Sequence, residues 1–402
     1  MRRACGADIG KKSFVASIYC GKAFVTREFS NTFDGYASFK NWLQENRCKD
    51  IALESTGVLW IQLYLTLEQS GFKLKLANPY HIKHVPGRKT DQKDSEWLAQ
   101  LLKNNLINAS YIPDKRIRDL RELTRTRIKL VQTRTDFKNR VHKIFERCSI
   151  KLSSTLHDLF GPAGREVVQG IIDGKDIKEI LDNTTNKTLK KRRLLIEHAV
   201  KGALSPNDVS LLRHMVEVIA KLDAEISSLE SEINTLVKED ELEIVSSIPG
   251  IGRKVAPLVI AEIGDVNRFE NASKLASWAG LCPSVYQSSG LNLTGHITRQ
   301  GSKYLRYMMV EAAHAVSRMK HGKLASFYQR IKMKKGGQVA LVALARKMLT
   351  IVWHLLKNKE KYTEEDYEKK VKISRLNTIR KMSLKEMAQV LRSAGYVVME
   401  QM

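Results

Sequence analysis

Four carboxylates in the N-terminal quarter of the chain stand where an oxygen-ligand metal site could be built. Asp8 lies within the apolar run CGADIG, Glu54 closes the apolar run IALEST, and Asp91 and Asp94 open KTDQKDSEW. An acid inside an apolar strand is costly to bury unless it is paired or bound to a cation. Asp8 and Glu54 are therefore functional candidates in a way that a surface acid is not. Asp91 and Asp94, three residues apart, share one face of the helix announced by Trp97, Leu98, Leu101 and Leu102. Alone, that pair also reads as an acidic first turn, capped by Thr90 or Asp91 and favoured by the positive end of the helix. Brought together with Asp8 and Glu54, it makes a hard, all-oxygen set suited to Mg²⁺ or Mn²⁺. An ion held there would polarise a phosphodiester and steady its attacking and leaving oxygens.

Such a set needs a scaffold, and the surrounding residues predict one. ACGADIGKKSFVASIYC reads as a strand, a polar turn and a second strand, with KAFVTREFS as a third. Tyr36, Phe39, Trp42 and Leu43 recur at helical spacing, KDIALEST is a short buried strand, WIQLYLTLEQSGF a helix ending at glycine, and KLKLANP a further strand. This order predicts a mixed α/β domain over residues 1–110. The character then changes: Asp114 to Lys151 carries thirteen Lys or Arg against five Asp or Glu, with no Pro or Gly, and a recurring apolar side. It reads as a long basic helix that is either a solvated face or a nucleic-acid contact. Residues 209–245 form a second long helix, acidic, with apolar residues stepping by three and four from Leu212 to Leu236. Coiled-coil pairing is expected, of these two helices in one chain or between chains. Residues 152–205 read as a small helical insert within this 111–245 region. A Gly-punctuated, mainly helical domain follows over 246–357, then a charged extension, 358–402, ending in SLKEMAQVLRSAGYVVME as a helix and a strand. The fold class expected is α/β plus α.

The 402 residues carry 68 Lys and Arg against 43 Asp and Glu, a net charge of +25, which points to a polyanionic partner. No apolar run reaches the roughly 20 residues that span a bilayer, and MRRACGADIG lacks the apolar core of a signal peptide. The five cysteines are scattered and never spaced as CxxC, which indicates a reducing cytoplasmic compartment without structural zinc. His81 and His84, flanked by Pro79 and Pro86, read as a loop.

ADIGKKSF, LEST and KTDQKDSEWLA, in that order, resemble the DEDD transposase family of the Piv and MooV type. The resemblance implies a RuvC/ribonuclease H-like first domain with catalytic, metal-binding carboxylates at Asp8, Glu54, Asp91 and Asp94. IVSSIPGIGRKVAPLVIAEIGDVNRF resembles the family's C-terminal domain and also a helix-hairpin-helix. Gly250 and Gly252 would there turn the chain and let backbone N–H groups face a phosphate, or would simply join two packed helices. YQSSGLNLTGHITRQGSKYLRYMM resembles the family's signature around a serine followed by glycine, which places the nucleophile at Ser289, with Ser288 as its neighbouring alternative. Arg299 and Arg306 follow as groups that stabilise phosphate charge or bind DNA backbone.

The resemblance covers roughly residues 4–357 and implies the transposase of a bacterial or archaeal insertion sequence, guided by a structured bridge RNA that pairs with donor and target DNA. Ser289 would form a covalent phosphoserine, and exchange between two duplexes would take a dimer or tetramer, assembled partly through the 209–245 helix. Two rival readings of the same residues remain: a metal-only nuclease or Holliday-junction resolvase, and a nucleic-acid-binding scaffold without catalysis.

Overall fold

The structure is a computed structural model that describes residues 3–21, 23–55, 57–77, 91–288, 291–299 and 301–364, with the backbone alone at 91–93, 284–288, 291–294 and 296. The chain divides into two compact units, Met1–Ile112 and Pro113–Met402.

In the first unit, β1 (Ala4–Ile9), β2 (Ser13–Tyr19) and β3 (Phe24–Ser30) form an antiparallel meander. β4 (Asp50–Glu54) and β5 (Lys73–Ala77) add to β1 in parallel, giving one sheet in the order β3-β2-β1-β4-β5. Alternation along the strands sorts the side chains. Cys5, Ala7 and Ile9 of β1 and Ile51 and Leu53 of β4 face a core closed by Phe39, Trp42 and Leu43 of α1 (Phe33–Glu45) and by Leu63 and Leu67 of α2 (Trp60–Gln69). Ala4, Ala52 and Ala77 turn to the other side, against Leu98, Leu101 and Leu102 of α3 (Asp91–Lys103). The small strand residues on that side let the helix lie close. At Gly6 the approach is tightest, since an added Cβ would sit 2.3 Å from the Ser95 carbonyl oxygen and 2.5 Å from the Ala99 nitrogen. Beside it, a buried hydrogen bond of 2.7 Å joins the hydroxyls of Ser17 and Ser95.

In the second unit, α4 (Lys115–Arg147) starts at Asp114, whose carboxylate accepts from the Ile117 N–H at 2.8 Å. It pairs antiparallel with α5 (Pro206–Leu236), as the order of contacts shows: Arg116 donates to the Leu236 carbonyl at 3.0 Å, Arg127 meets Glu230 at 2.6 Å, Arg134 meets Asp223 at 2.6 Å, and Arg147 meets Asp208. Leu212, Ile219, Ile226 and Ile233, seven apart, are the buried stripe of α5. The pairing that the sequence left open thus forms within one chain. The acidic helix also stops earlier than its periodicity suggests. α5 ends at Leu236 and α6 (Glu239–Ser246) begins afresh, because Glu239, Asp240 and Glu241 are placed to face the positive end of a new helix. Five short helices between Leu152 and Ala199 fill the insert and pack on Val141, Phe145 and Leu212.

The α5 N-terminus carries a reciprocal cap in which Ser205 and Asp208 bond each other's backbone N–H. Hydrogen bonds from Ser205, reinforced by Arg147, hold the Asp208 carboxyl at about 2, below its ordinary 3.8. A lowered folded-state value contributes stability that is complete above about pH 4 and is lost as pH falls toward 2. Asp208→Asn should therefore flatten that part of the acid limb; thermal melts from pH 5 to 2 that fall equally steeply in both proteins would contradict this.

α7 (Ala256–Ile263), α8 (Ala272–Trp278), a hairpin of β6 (Pro283–Ser288) and β7 (Leu291–Ile297), α9 (Lys303–Ser317), α10 (Lys323–Lys335) and α11 (Gly337–Asn358) complete the unit. α11 is long and apolar enough to cross a membrane by length and composition, but Leu344, Met348, Leu349 and Val352 are sealed in the core formed with α6, α7 and α9. The helix and strand expected in SLKEMAQVLRSAGYVVME lie outside the described residues, as do His81 and His84.

Candidate functional site

Asp8 and Glu54 stand one residue beyond Ala7 and Leu53, which are partners across the parallel β1–β4 pair. Ala7 and Leu53 face the α1–α2 core, so alternation sends Asp8 and Glu54 to the face that α3 covers. Both are partly buried. α3 runs opposite to β1, since Leu101 and Leu102 pack beside Ala4 while Ser95 and Ala99 sit on Gly6. Its N-terminal turn therefore points toward the strand ends that carry Asp8 and Glu54. Asp94, partly buried, precedes Ser95 in that turn, and Asp91 opens the helix, with its side chain outside the described residues. Three segments far apart in sequence thus bring Asp8, Glu54 and the first turn of α3 to the same end of one sheet. Among the described side chains, no three His, Cys, Asp or Glu already form a closed metal cage. The donor set is all carboxylate and fits a hard divalent cation.

The second candidate region is the β6–β7 hairpin. Ser288 pairs with Leu291, and Ser289 and Gly290, the two residues between them, lie outside the described residues. The hairpin itself escaped the helical reading of this domain, because its strands are short and polar. A glycine between two alternating runs was the available signal. At its base, the Thr298 N–H donates to the Cys282 carbonyl at 3.0 Å. Arg299 follows, exposed and at a φ of 55°, in the left-handed region that non-glycine residues seldom occupy. Arg306, on α9, donates to the Ala279 carbonyl at 3.2 Å. Burial, and then the charge of Arg299, push its guanidinium below its ordinary value, so the two arginines share a field that favours an anion.

Gly250, at a φ of 86°, has its bare Cα pressed on α9: an added Cβ would lie 2.6 Å from the Ala312 carbonyl oxygen. Its lack of a side chain is used in helix packing. Gly252 is exposed, with open space where a Cβ would go. Gly250→Ala should cost about 1–3 kcal/mol from strain and overpacking, whereas Gly252→Ala should stay within about 0.5 kcal/mol. Equal melting shifts for the two would refute this division.

Glu262, which the motifs above do not mark, is fully buried on α7. It accepts from Arg125 at 2.6 and 2.9 Å in a two-pronged ion pair and from the Ser302 hydroxyl at 2.7 Å. Burial opposes the Arg125 charge, but Glu262 holds its guanidinium above the ordinary value. The signal was present as a lone acid in the apolar run APLVIAEIG, opposite a helix with arginines at 121 and 125.

Two transposase family models match the chain. Residues 5–150 match the DEDD transposase model of the IS110 group, described as a transposase, and residues 242–329 match the model described as transposase IS116/IS110/IS902 family. A transposase for insertion sequence element IS1111A from Coxiella burnetii is 24% identical over 306 residues, 74% of this chain and 75% of that protein. The pilin gene-inverting protein of Moraxella bovis is 25% identical over 380 residues, 90% of this chain and 98% of its own length. A transposase for IS1328 from Yersinia enterocolitica is 23% identical over 358 residues, covering 87% and 95%.

Proposed function

Because the chain belongs to the IS110/IS116 family of transposases, enzymes that cleave and rejoin DNA, we propose that it recombines an insertion sequence through a DNA-linked serine. The observation that carries this reading is the arrival of Asp8, Glu54 and the first turn of α3 at the same end of the sheet. The strand order, with three antiparallel strands extended by two parallel ones, supports a RuvC/ribonuclease H-like domain for this unit.

Asp8, Glu54, Asp91 and Asp94 would hold Mg²⁺, or Mn²⁺ in its place. When bound, the ion supplies Lewis-acid stabilisation of phosphoryl charge. The chain's own chemistry is a transesterification. The Ser289 oxygen bonds to phosphorus, the bond from phosphorus to one deoxyribose oxygen breaks, and the serine proton leaves with that oxygen as an alcohol. The reverse step, with a hydroxyl from another strand, rejoins the DNA and frees the serine. A phosphodiester is exchanged for a phosphodiester, so no external energy source is required. Arg299 and Arg306 fit the phosphate charge in these steps, and the exposed Gly252, in the turn between the helices at Glu239–Ser246 and Ala256–Ile263, would offer a helix-hairpin-helix-like backbone contact, with Gly250 packed on α9. The +25 charge suits two nucleic acids at once, duplex DNA and a bridge RNA that reads sequence by pairing. Because exchange joins two duplexes, a dimer or tetramer is the working form.

The test incubates the protein with the transcript flanking its gene, an end-labelled junction DNA and Mg²⁺, and then denatures the mixture. Label should migrate with the protein and should vanish with a chelator or without the transcript. Cleaved DNA that never attaches to protein would replace this reading with a hydrolytic metal nuclease.

A further inference from the structure

The buried Glu262 links two parts of the second unit that the proposed reaction must keep in register. On one side is α4, the long basic helix, through the two-pronged bond from Arg125 and through Arg121, which donates to the Ala261 and Glu262 carbonyls at 2.6 and 2.7 Å. On the other side is Ser302, five residues after β7 ends at Ile297.

Ser302 performs two tasks with one hydroxyl. It accepts from the Leu305 N–H at 3.1 Å as the cap of α9 and donates to Glu262 at 2.7 Å. The residue before it, Gly301, has a φ of 87°, and a Cβ there would fall 1.7 Å from the Trp278 carbonyl oxygen, so the backbone is clamped at this point. Arg125 also lies over the Tyr304 ring at 4.8 Å. The exit of the hairpin is thereby tied to α4 through Glu262. An ion pair built on a fully buried acid often adds little net stability compared with apolar residues, so its presence calls for another use.

We propose that Arg125, Glu262 and Ser302 are positioning residues that set the posture of the β6–β7 hairpin relative to the long basic helix. None of them touches the reacting atoms. They hold the base of the hairpin whose strands flank Ser289 in sequence, and a displacement of about 1 Å carried to the reacting atoms can slow an aligned attack by about a hundredfold. The link to catalysis rests on the serine reading above, whereas the link to hairpin posture does not.

Two readouts on the full-length protein separate these claims: amide hydrogen exchange along 283–297, and the rate at which label transfers from junction DNA to protein. Ser302→Ala should speed exchange in the hairpin and cut the transfer rate about tenfold or more. Exchange in Gly337–Asn358 and DNA affinity should change by less than about twofold on the same argument. Ser302→Thr, which retains both hydroxyl bonds, should restore both readouts. A double variant, Arg125→Met with Glu262→Leu, keeps the packing without the charges and should stay folded yet transfer slowly. Unchanged hairpin exchange in Ser302→Ala overturns the proposal, as does a rate loss matched by equal losses of affinity and of core protection. If the unaltered protein forms no adduct while hairpin exchange still responds, the positioning role stands and the serine reading falls.

Discussion

Ser289→Ala is expected to abolish the protein–DNA adduct, by on the order of 10⁴-fold or more, while DNA affinity remains within about twofold. In the proposed mechanism the substitution removes the atom that would form the bond to phosphorus, and it leaves the basic surface intact. Affinity and its salt dependence come from phosphate contacts, which the alanine does not alter. Asp8→Asn should give the same loss by a different route, since it removes charge from the carboxylate set without removing the nucleophile. The two can be told apart by titrating the metal: excess Mn²⁺ should partly rescue Asp8→Asn and leave Ser289→Ala inactive. The neighbouring Ser288→Ala should retain activity; if it alone is inactive, the nucleophile is Ser288. If Ser289→Ala cleaves normally while Asp8→Asn does not, the carboxylates perform the whole reaction and the hairpin is structural.

The second large effect is expected at a residue without a side chain. In Gly6→Ala, the new methyl group would meet the Ser95 carbonyl oxygen at 2.3 Å and the Ala99 nitrogen at 2.5 Å, both of them helix backbone atoms. No rotamer relieves such a clash, so α3 must move away from β1. Overpacking costs about 1–3 kcal/mol, occasionally more, and the displaced helix would also stretch the buried Ser17–Ser95 hydrogen bond, which contributes about 1 kcal/mol. The shift would carry Asp91 and Asp94 away from the strand ends of Asp8 and Glu54. Gly6→Ala should therefore lose activity under conditions where it remains folded. Ser95→Ala, which loses the hydrogen bond without a clash, should cost about 1 kcal/mol and keep most of its activity. Full activity in a folded Gly6→Ala protein would show that the approach of α3 does not set the acid site.

The sequence by itself determined the local elements and marked the acids as candidates. The apolar strands ACGADI and DIALE, the helical spacing in DGYASFKNWLQE and the long basic helix after Asp114 are decided by neighbours within a few residues, and the structure has these elements where the pattern puts them. Asp8 and Glu54 were legible because an acid in an apolar strand contradicts its surroundings. The sequence did not show that Asp8 and Glu54 face the same helix, that Gly6 brings that helix in, or that α4 and α5 satisfy each other within one chain. Nor did it show that Glu262 ties the basic helix to the base of the hairpin. Those relations depend on strand order, register and the sense of helix packing, which are fixed by burying several faces at once. Arg125 and Glu262 are 137 positions apart in sequence, yet their guanidinium and carboxylate atoms meet at 2.6 Å.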